Sequence, residues 1–225
     1  MVNYQSPYIF RFTLMKKQLF ILSIILTLAA CSSSKNTLKQ SFSPQQVNLI
    51  TAQDSLTPMR IYKITDKTDS LLLRSKSAYI TPDPKNTILK TFVNRLYATV
   101  RDSMSMGVGI AAPQVGILKN IIWVQRFDKE ELPFEVYLNP KITSYSIKKQ
   151  SVKEGCLSIP DRSDMLNSRS FSIEIEYDTM NAEHKTETIT NFTAVIFQHE
   201  IDHLSGILYL DHLEKEIQDA NKNHQ

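Results

Sequence analysis

The chain has 225 residues, 42% of them hydrophobic and 22% charged, with a formal net charge of +3. That is enough for one folded domain with a real core and one or two appendages, of ordinary globular composition. The charge is too small, and the basic residues form no stripe, so nucleic acid is not expected as a partner. The two cysteines, Cys31 and Cys156, have separate tasks on the reading below, so no disulfide is expected.

Residues 1–14 are hard to interpret. From Met15-Lys16-Lys17 a pattern starts: a basic region, an apolar run over residues 19–30, then Leu28-Ala29-Ala30-Cys31 and three serines. The run has the length of a signal-peptide core and is short for a membrane span. It resembles the lipobox of bacterial lipoproteins. The resemblance implies a signal peptide within residues 1–30, cleavage that leaves Cys31 as a lipid-modified N-terminus, and Met15 as the true start, with 1–14 not translated. Residues 31–57, rich in Ser, Gln, Asn and Thr, read as a flexible tether. Residues 58–225 read as the folded domain.

Within the domain, residues 59–64 alternate as a strand. Asp83-Pro84 fits an N-cap with proline at the first helical position. Ile88, Leu89, Phe92, Val93, Leu96, Tyr97 and Val100 then mark the core-facing stripe of a helix reaching about Met104. Gly107-Val108-Gly109-Ile110-Ala111-Ala112-Pro113-Gln114 gathers small residues, which let a backbone or ligand come close. It lacks the Lys-Ser/Thr of a phosphate loop, and Ala-Pro-Gln begins a helix poorly; alone it reads equally as a plain turn.

Residues 120–126 and 134–138 look like strands around an acidic loop. Asn139-Pro140 reads as a turn, and residues 141–152 as a ribbon leading into Glu154-Gly155-Cys156-Leu157-Ser158. Residues 171–177 alternate cleanly, with 184–190 as a hairpin partner and His184 at the surface. A helix over 193–206 follows, then Ile207-Leu208-Tyr209-Leu210 and a short polar tail.

That last helix carries Gln198-His199-Glu200-Ile201-Asp202-His203 and closes at Gly206. Four residues apart on a helix, His199 and His203 share a face. Such a pair can hold one metal ion, with Glu200 beside it as a general base. A catalytic site of this kind wants three protein ligands and one open position. One protease pattern would place the third ligand at position 209, which is Tyr209. His212, Glu214 and Glu216 have little fold left to place them. The remaining candidate lies upstream, at Cys156.

In order, Gly107 to Gln114, Glu154 to Ser158 and Gln198 to His203 resemble the three signature motifs of peptide deformylases, and the similarity spans roughly residues 58–213. The resemblance implies an α+β fold, with antiparallel β-sheets wrapped around a central helix that carries the HExxH motif. It implies hydrolysis of the N-formyl amide of formyl-methionyl peptides. Cys156, His199 and His203 would hold one ion, natively Fe(2+), with Zn(2+), Ni(2+) or Co(2+) possible for this donor set. Glu200 would move the proton; Gln114 and the backbone N–H of Leu157 would stabilise the oxyanion; Gly109 would let the substrate backbone approach and pair. Glu154 would hold the cysteine loop.

Phe192, Val195 and Ile196 precede His199 by one or two turns. With Val108 they read as a methionine pocket or, equally, as core. Family members carry a Pro-Arg element after the cysteine motif, and here Arg162 or Arg169 could take that place. The tail from residue 211 lacks a long basic helix for docking on the ribosome. Beside the lipobox, this suggests an exported enzyme, attached to the membrane through Cys31, acting on free or secreted formyl-Met peptides.

Overall fold

A computed structural model of the chain describes residues 42–103 and 106–222. The signal peptide, Cys31 and the first part of the expected tether lie outside the described residues. Residues 42–57 do not behave as a tether. Ser43 accepts from the Gln46 N–H at 3.2 Å while the Gln46 side chain accepts from the Ser43 N–H at 2.9 Å. This capping box, with Pro44 in the first turn, starts helix α1 (Pro44–Thr51).

Phe42 and Ile50 are buried. Phe42 meets Phe92 edge-on with ring centroids 5.8 Å apart. The buried guanidinium of Arg95 caps the end of α1 by donating to the carbonyls of Leu49, Ile50 and Thr57. A few well-placed anchors outweigh the polar composition that suggests a tether.

Residues 59–64 run extended but join no sheet. Their N–H groups go to the Thr99 hydroxyl from Met59, to the Gln114 carbonyl from Tyr62 and to the Ser158 carbonyl from Ile64. The segment therefore clamps the two loops that carry Gln114 and Cys156. Helix α2 (Lys67–Leu73) follows, then α3 (Thr87–Arg101), whose N-cap is Asn86 and not Asp83: its side chain accepts from the Leu89 N–H at 3.0 Å.

Strands β1 (Gly109–Ala111), β2 (Ile121–Gln125), β3 (Phe134–Tyr145), β6 (Ser172–Asp178) and β7 (His184–Thr190) form one antiparallel sheet in the order β1-β2-β3-β6-β7. Between β1 and β2, Ala112–Val115 forms a 3-10 turn, so Ala-Pro-Gln does start a helical turn, though a short one. Strands β4 (Lys149–Cys156) and β5 (Ile159–Ser170) pair separately as a hairpin.

Helix α4 (Asn191–Leu204) lies against the large sheet. Its Ala194, Ile196, Phe197 and Leu204 pack with Ile122, Val124, Tyr137, Ile173, Ile175 and Ile189. The stripe of α3 fills a second core with Ile110, Val115, Ile121 and Leu138. The fold is thus α+β, with antiparallel sheets around a central helix bearing the two histidines. Residues 211–222, part of the expected polar tail, lie in helix α5 (Tyr209–Lys222), which packs on β5.

If α1 belongs to the folded body, Ile50→Ala destabilises the domain by about 2–5 kcal/mol, the usual range for emptying a buried Ile. Urea unfolding measures this, and an unchanged midpoint would return the segment to the tether.

Candidate active site

Helix α4 presents His199 and His203 one turn apart, with ring centroids 5.1 Å apart. The end of β4 brings Cys156 to them: its Sγ lies 3.3 Å from His203 Nε2. The donor atoms of Cys156, His199 and His203 all lie within 4.8 Å of one another. A tetrahedral ion at ordinary metal–sulfur and metal–nitrogen lengths holds its ligand atoms about 3.3–3.6 Å apart. The 3.3 Å between Cys156 Sγ and His203 Nε2 matches that separation, and the three donors converge closely enough to hold a single ion.

The ion pairs behind the cluster decide how it is held. His199 Nδ1 meets Glu154 Oε2 at 2.8 Å, which leaves the other ring nitrogen for the cluster. Arg169 grips the same carboxylate with two bonds, at 2.6 and 2.9 Å. Its remaining arm donates to Asp202 at 2.7 Å, and His212 meets that same carboxylate oxygen of Asp202 at 2.8 Å. Glu154 and Arg169 are both buried.

Burial alone would raise the Glu154 carboxyl, but the bonds from His199 and Arg169 outweigh it and hold it at about 2. Burial also works against charge on His199, yet Cys156 and Glu154 beside it hold its imidazole well above the usual histidine range. Burial, followed by the charge of His199, pushes His203 well below that range. Cys156 and Glu154 thus favour positive charge at His199, between them.

Of the two arginines that could replace the family's Pro-Arg element, Arg169 is the buried one. Its direction depends on a bulge. Strand pairing runs Gln150 to Arg169 and then Val152 to Leu166, so β5 holds one extra residue there. Without it, alternation from the buried Leu166 would turn Ser168 inward instead. Glu216 of α5 accepts from the N–H groups of Asn167 and Ser168 at 2.8–3.0 Å and so satisfies the bulge. Arg162 is exposed and pairs with Asp164 at 2.8 Å.

Glu200 lies one residue from His199, and its Oε2 is buried with no hydrogen-bond partner among the described residues. Burial pushes this carboxyl up to about 7, opposed by the charge on His199. Gly109 is what makes room for it: a Cβ at 109 would stand 2.5 Å from Glu200 Oε1 and 2.8 Å from Ile196 Cγ2. Gln114 is fixed at its oxygen, which accepts from the Ala111 N–H at 2.8 Å. Its Nε2 thereby faces Ser158 Oγ at 3.3 Å and Cys156 Sγ at 3.6 Å.

These groups floor a cavity of about 460 Å³, whose walls include Val108, Gly109, Gln114, Cys156, Leu157, Phe192, Val195, Ile196, His199 and Glu200. His203 closes the cluster from below and is buried. The structure therefore brings together every candidate residue of the domain. Sequence reasoning gave no role to Ser158 or Asp202, and it set His212 and the bulge clamp Glu216 aside. Ser158 stood inside the quoted cysteine motif. Asp202 likewise stood inside the histidine motif, and none of these roles has a local signal, because the partners lie ten or more residues away in sequence. His184 is exposed and paired with Asp178.

Comparison with known proteins agrees with this geometry. A family model described as polypeptide deformylase matches residues 58–219. A second, for the prokaryotic membrane lipoprotein lipid attachment site, matches residues 15–32, which include Cys31. The peptide deformylase of Leptospira biflexa serovar Patoc is 36% identical over 132 residues, covering 56% of this chain and 72% of that protein. Peptide deformylase 2 of Bacillus subtilis is 39% identical over 113 residues, covering 49% and 61%.

Among solved structures, the Met-Ala-Ser-bound class I type b peptide deformylase from Acinetobacter baumannii superposes with a TM-score of 0.62 at 31% identity. It covers 69% of this chain and 98% of its own. The enzyme from Thermotoga maritima gives a TM-score of 0.60 at 30% identity, covering 69% and 97%. The chain belongs to the polypeptide deformylase family, with the α+β fold and the peptide deformylase activity of that family. Near its N-terminus it carries a lipoprotein attachment motif.

Replacing Arg169 with Met strands the Glu154 carboxylate in a buried place. Breaking a buried pair from one side costs about 3–5 kcal/mol, and loss of a ligand's outer support costs about 10–100-fold in metal affinity. Both are measurable, by denaturant unfolding and by competition with a chelator. The pH dependence has a definite sign. A carboxyl lowered from 4.5 to about 2 gives stability that is present above pH 4.5 and lost as pH falls toward about 2. Arg169→Met flattens that acid limb of the metal-free protein, whereas an unchanged limb would contradict the pairing.

Proposed function

We propose that the cluster of Cys156, His199 and His203 holds one ion, Fe(2+) natively with Zn(2+), Ni(2+) or Co(2+) as replacements, and that the site removes the formyl group from formyl-methionyl peptides. The observation that carries this is the unpartnered, buried Glu200 oxygen beside three donor atoms that converge within 4.8 Å on the floor of a cavity. The ion, when bound, supplies Lewis acidity, which polarises a carbonyl and acidifies water.

The chain does the rest. Glu200 takes a proton from the attacking water and returns it to the leaving nitrogen. The carbon–nitrogen bond breaks, leaving formate and a free amine. Gln114 Nε2 and the Leu157 N–H donate to the carbonyl oxygen as charge develops on it. Gly109, with Glu200 packed beneath it, sits in β1 at the edge of the sheet, where the substrate backbone can pair. Val108, Phe192, Val195 and Ile196 take the methionine side chain. The Acinetobacter baumannii relative, bound to Met-Ala-Ser, supports this class of ligand.

Glu200→Gln should keep its metal, measured by elemental analysis, and lose formate release by at least about 100-fold, the scale of general acid–base catalysis. Since Glu200 acts as a base from a carboxyl raised to about 7, kcat/KM of the parent enzyme should fall as pH drops below neutrality. A cation nearby moves that limb lower, never higher. Full formate release by Glu200→Gln would remove this mechanism.

The attachment motif supports membrane anchoring through Cys31, and we place the domain on the extracytoplasmic face, acting on free or secreted formyl-Met peptides. Labelled palmitate should enter the wild-type protein, and Cys31→Ser should lose the label. Protease added to intact spheroplasts should digest the anchored domain. Protection from that protease, or palmitate label retained by Cys31→Ser, would contradict the placement.

A further inference from the structure

The cavity continues outward from the cluster along β4. Exposure alternates in this strand: Glu154 is buried, while Ser151, Lys153 and Gly155 face solvent. Gly155 offers no side chain, and the space above it is free down to ordinary contact, with Arg162 O at 3.6 Å and Ser163 Cβ at 3.7 Å from a Cβ placed there. Counting back from Cys156, Lys153 is therefore the first side chain on the open face of the strand, and it lines the cavity.

Three strand residues span about 10 Å. An extended formyl tripeptide covers the same distance from its formyl carbon to its C-terminal carboxylate. Lys153 has no ion-pair partner among the described residues. The other cation at the mouth, Arg162, already has Asp164 at 2.8 Å. Asp161, exposed near the start of β5, is the acid at the mouth that opposes Lys153, and the two form no ion pair.

From this placement we infer that Lys153 reads the C-terminal carboxylate of a short free peptide, so that formyl tripeptides ending in a free acid are preferred over blocked or longer chains. This rests on the deformylase reading above and deepens it: the substrates would be released peptides and not the N-termini of long chains.

The test compares kcat/KM, from formate release by the metal-loaded enzyme, on formyl-Met-Ala-Ser, its C-terminal amide, and formyl-Met-Ala-Asp amide. One exposed charge pair is worth up to about fivefold, so the free acid should exceed its amide by about threefold at low salt, with the preference shrinking as salt rises. Lys153→Ala should bring that ratio to one, Lys153→Glu should invert it, Lys153→Arg should keep it, and Asp161→Asn should raise it.

Equal rates on acid and amide in the parent enzyme, or a preference that survives Lys153→Ala, would overturn the inference while leaving the deformylase reading intact. If formyl-Met-Ala-Asp amide matched the free acid, the C-terminus would not be what is read, and the inference would fall in favour of an acidic side chain. No formate from any of the three would overturn both readings.

Discussion

Glu154 carries a negative charge into a region that water barely reaches, and two partners keep it there. On one side His199 meets its Oε2 at 2.8 Å; on the other Arg169 holds both oxygens. Through this one carboxylate, strand β4, strand β5 and helix α4 are fixed relative to each other. A buried ion pair is weak support for stability against a hydrophobic replacement, but removing one partner leaves an uncompensated charge. The pair is better understood as a device for direction: it sets the plane of the His199 ring, and with it which nitrogen faces the cluster. Asp202 and His212 extend the same chain to helix α5, and Glu216 steadies the bulge that turns Arg169 inward.

The floor of the site follows from small residues placed under large ones. Gly109 exists as glycine because Glu200 occupies the space of its missing side chain. Gln114 presents its nitrogen because its oxygen is already bound by the Ala111 N–H. The extended run over residues 59–64, which belongs to no sheet, pins both the Gln114 turn and the Ser158 loop through backbone bonds. Gln114 and the loop after Cys156 are thus held by contacts made away from the cavity, the kind of support that preorganised electrostatic catalysis uses.

Much of this was legible in the sequence wherever the signal is local. The i, i+4 histidines define a face once the helix is granted, and the stripe of α3 follows from its period. The likeness of three motifs in order to deformylases brought Cys156 to the histidines, a contact spanning more than forty residues that no local pattern encodes. What was not legible depended on irregularity or on scattered anchors. A one-residue bulge decides between Ser168 and Arg169, and alternation alone points the wrong way. Helix α1 hides in a polar stretch because Phe42, Val47 and Ile50 are few, though they pack on the core. Helix α5 reads as a tail because most of it is exposed, while its value lies in Glu216 and His212.

A domain of this family behind a lipid attachment motif joins a hydrolytic site to membrane anchoring. All of this requires that one thiolate and two imidazoles bind one ion together. X-ray absorption at the metal edge of protein purified without oxygen measures that directly. The expected result is one metal per chain, with a first coordination shell of one sulfur and two imidazole nitrogens. A shell of nitrogen and oxygen alone would contradict it, because Cys156 would then not be a ligand.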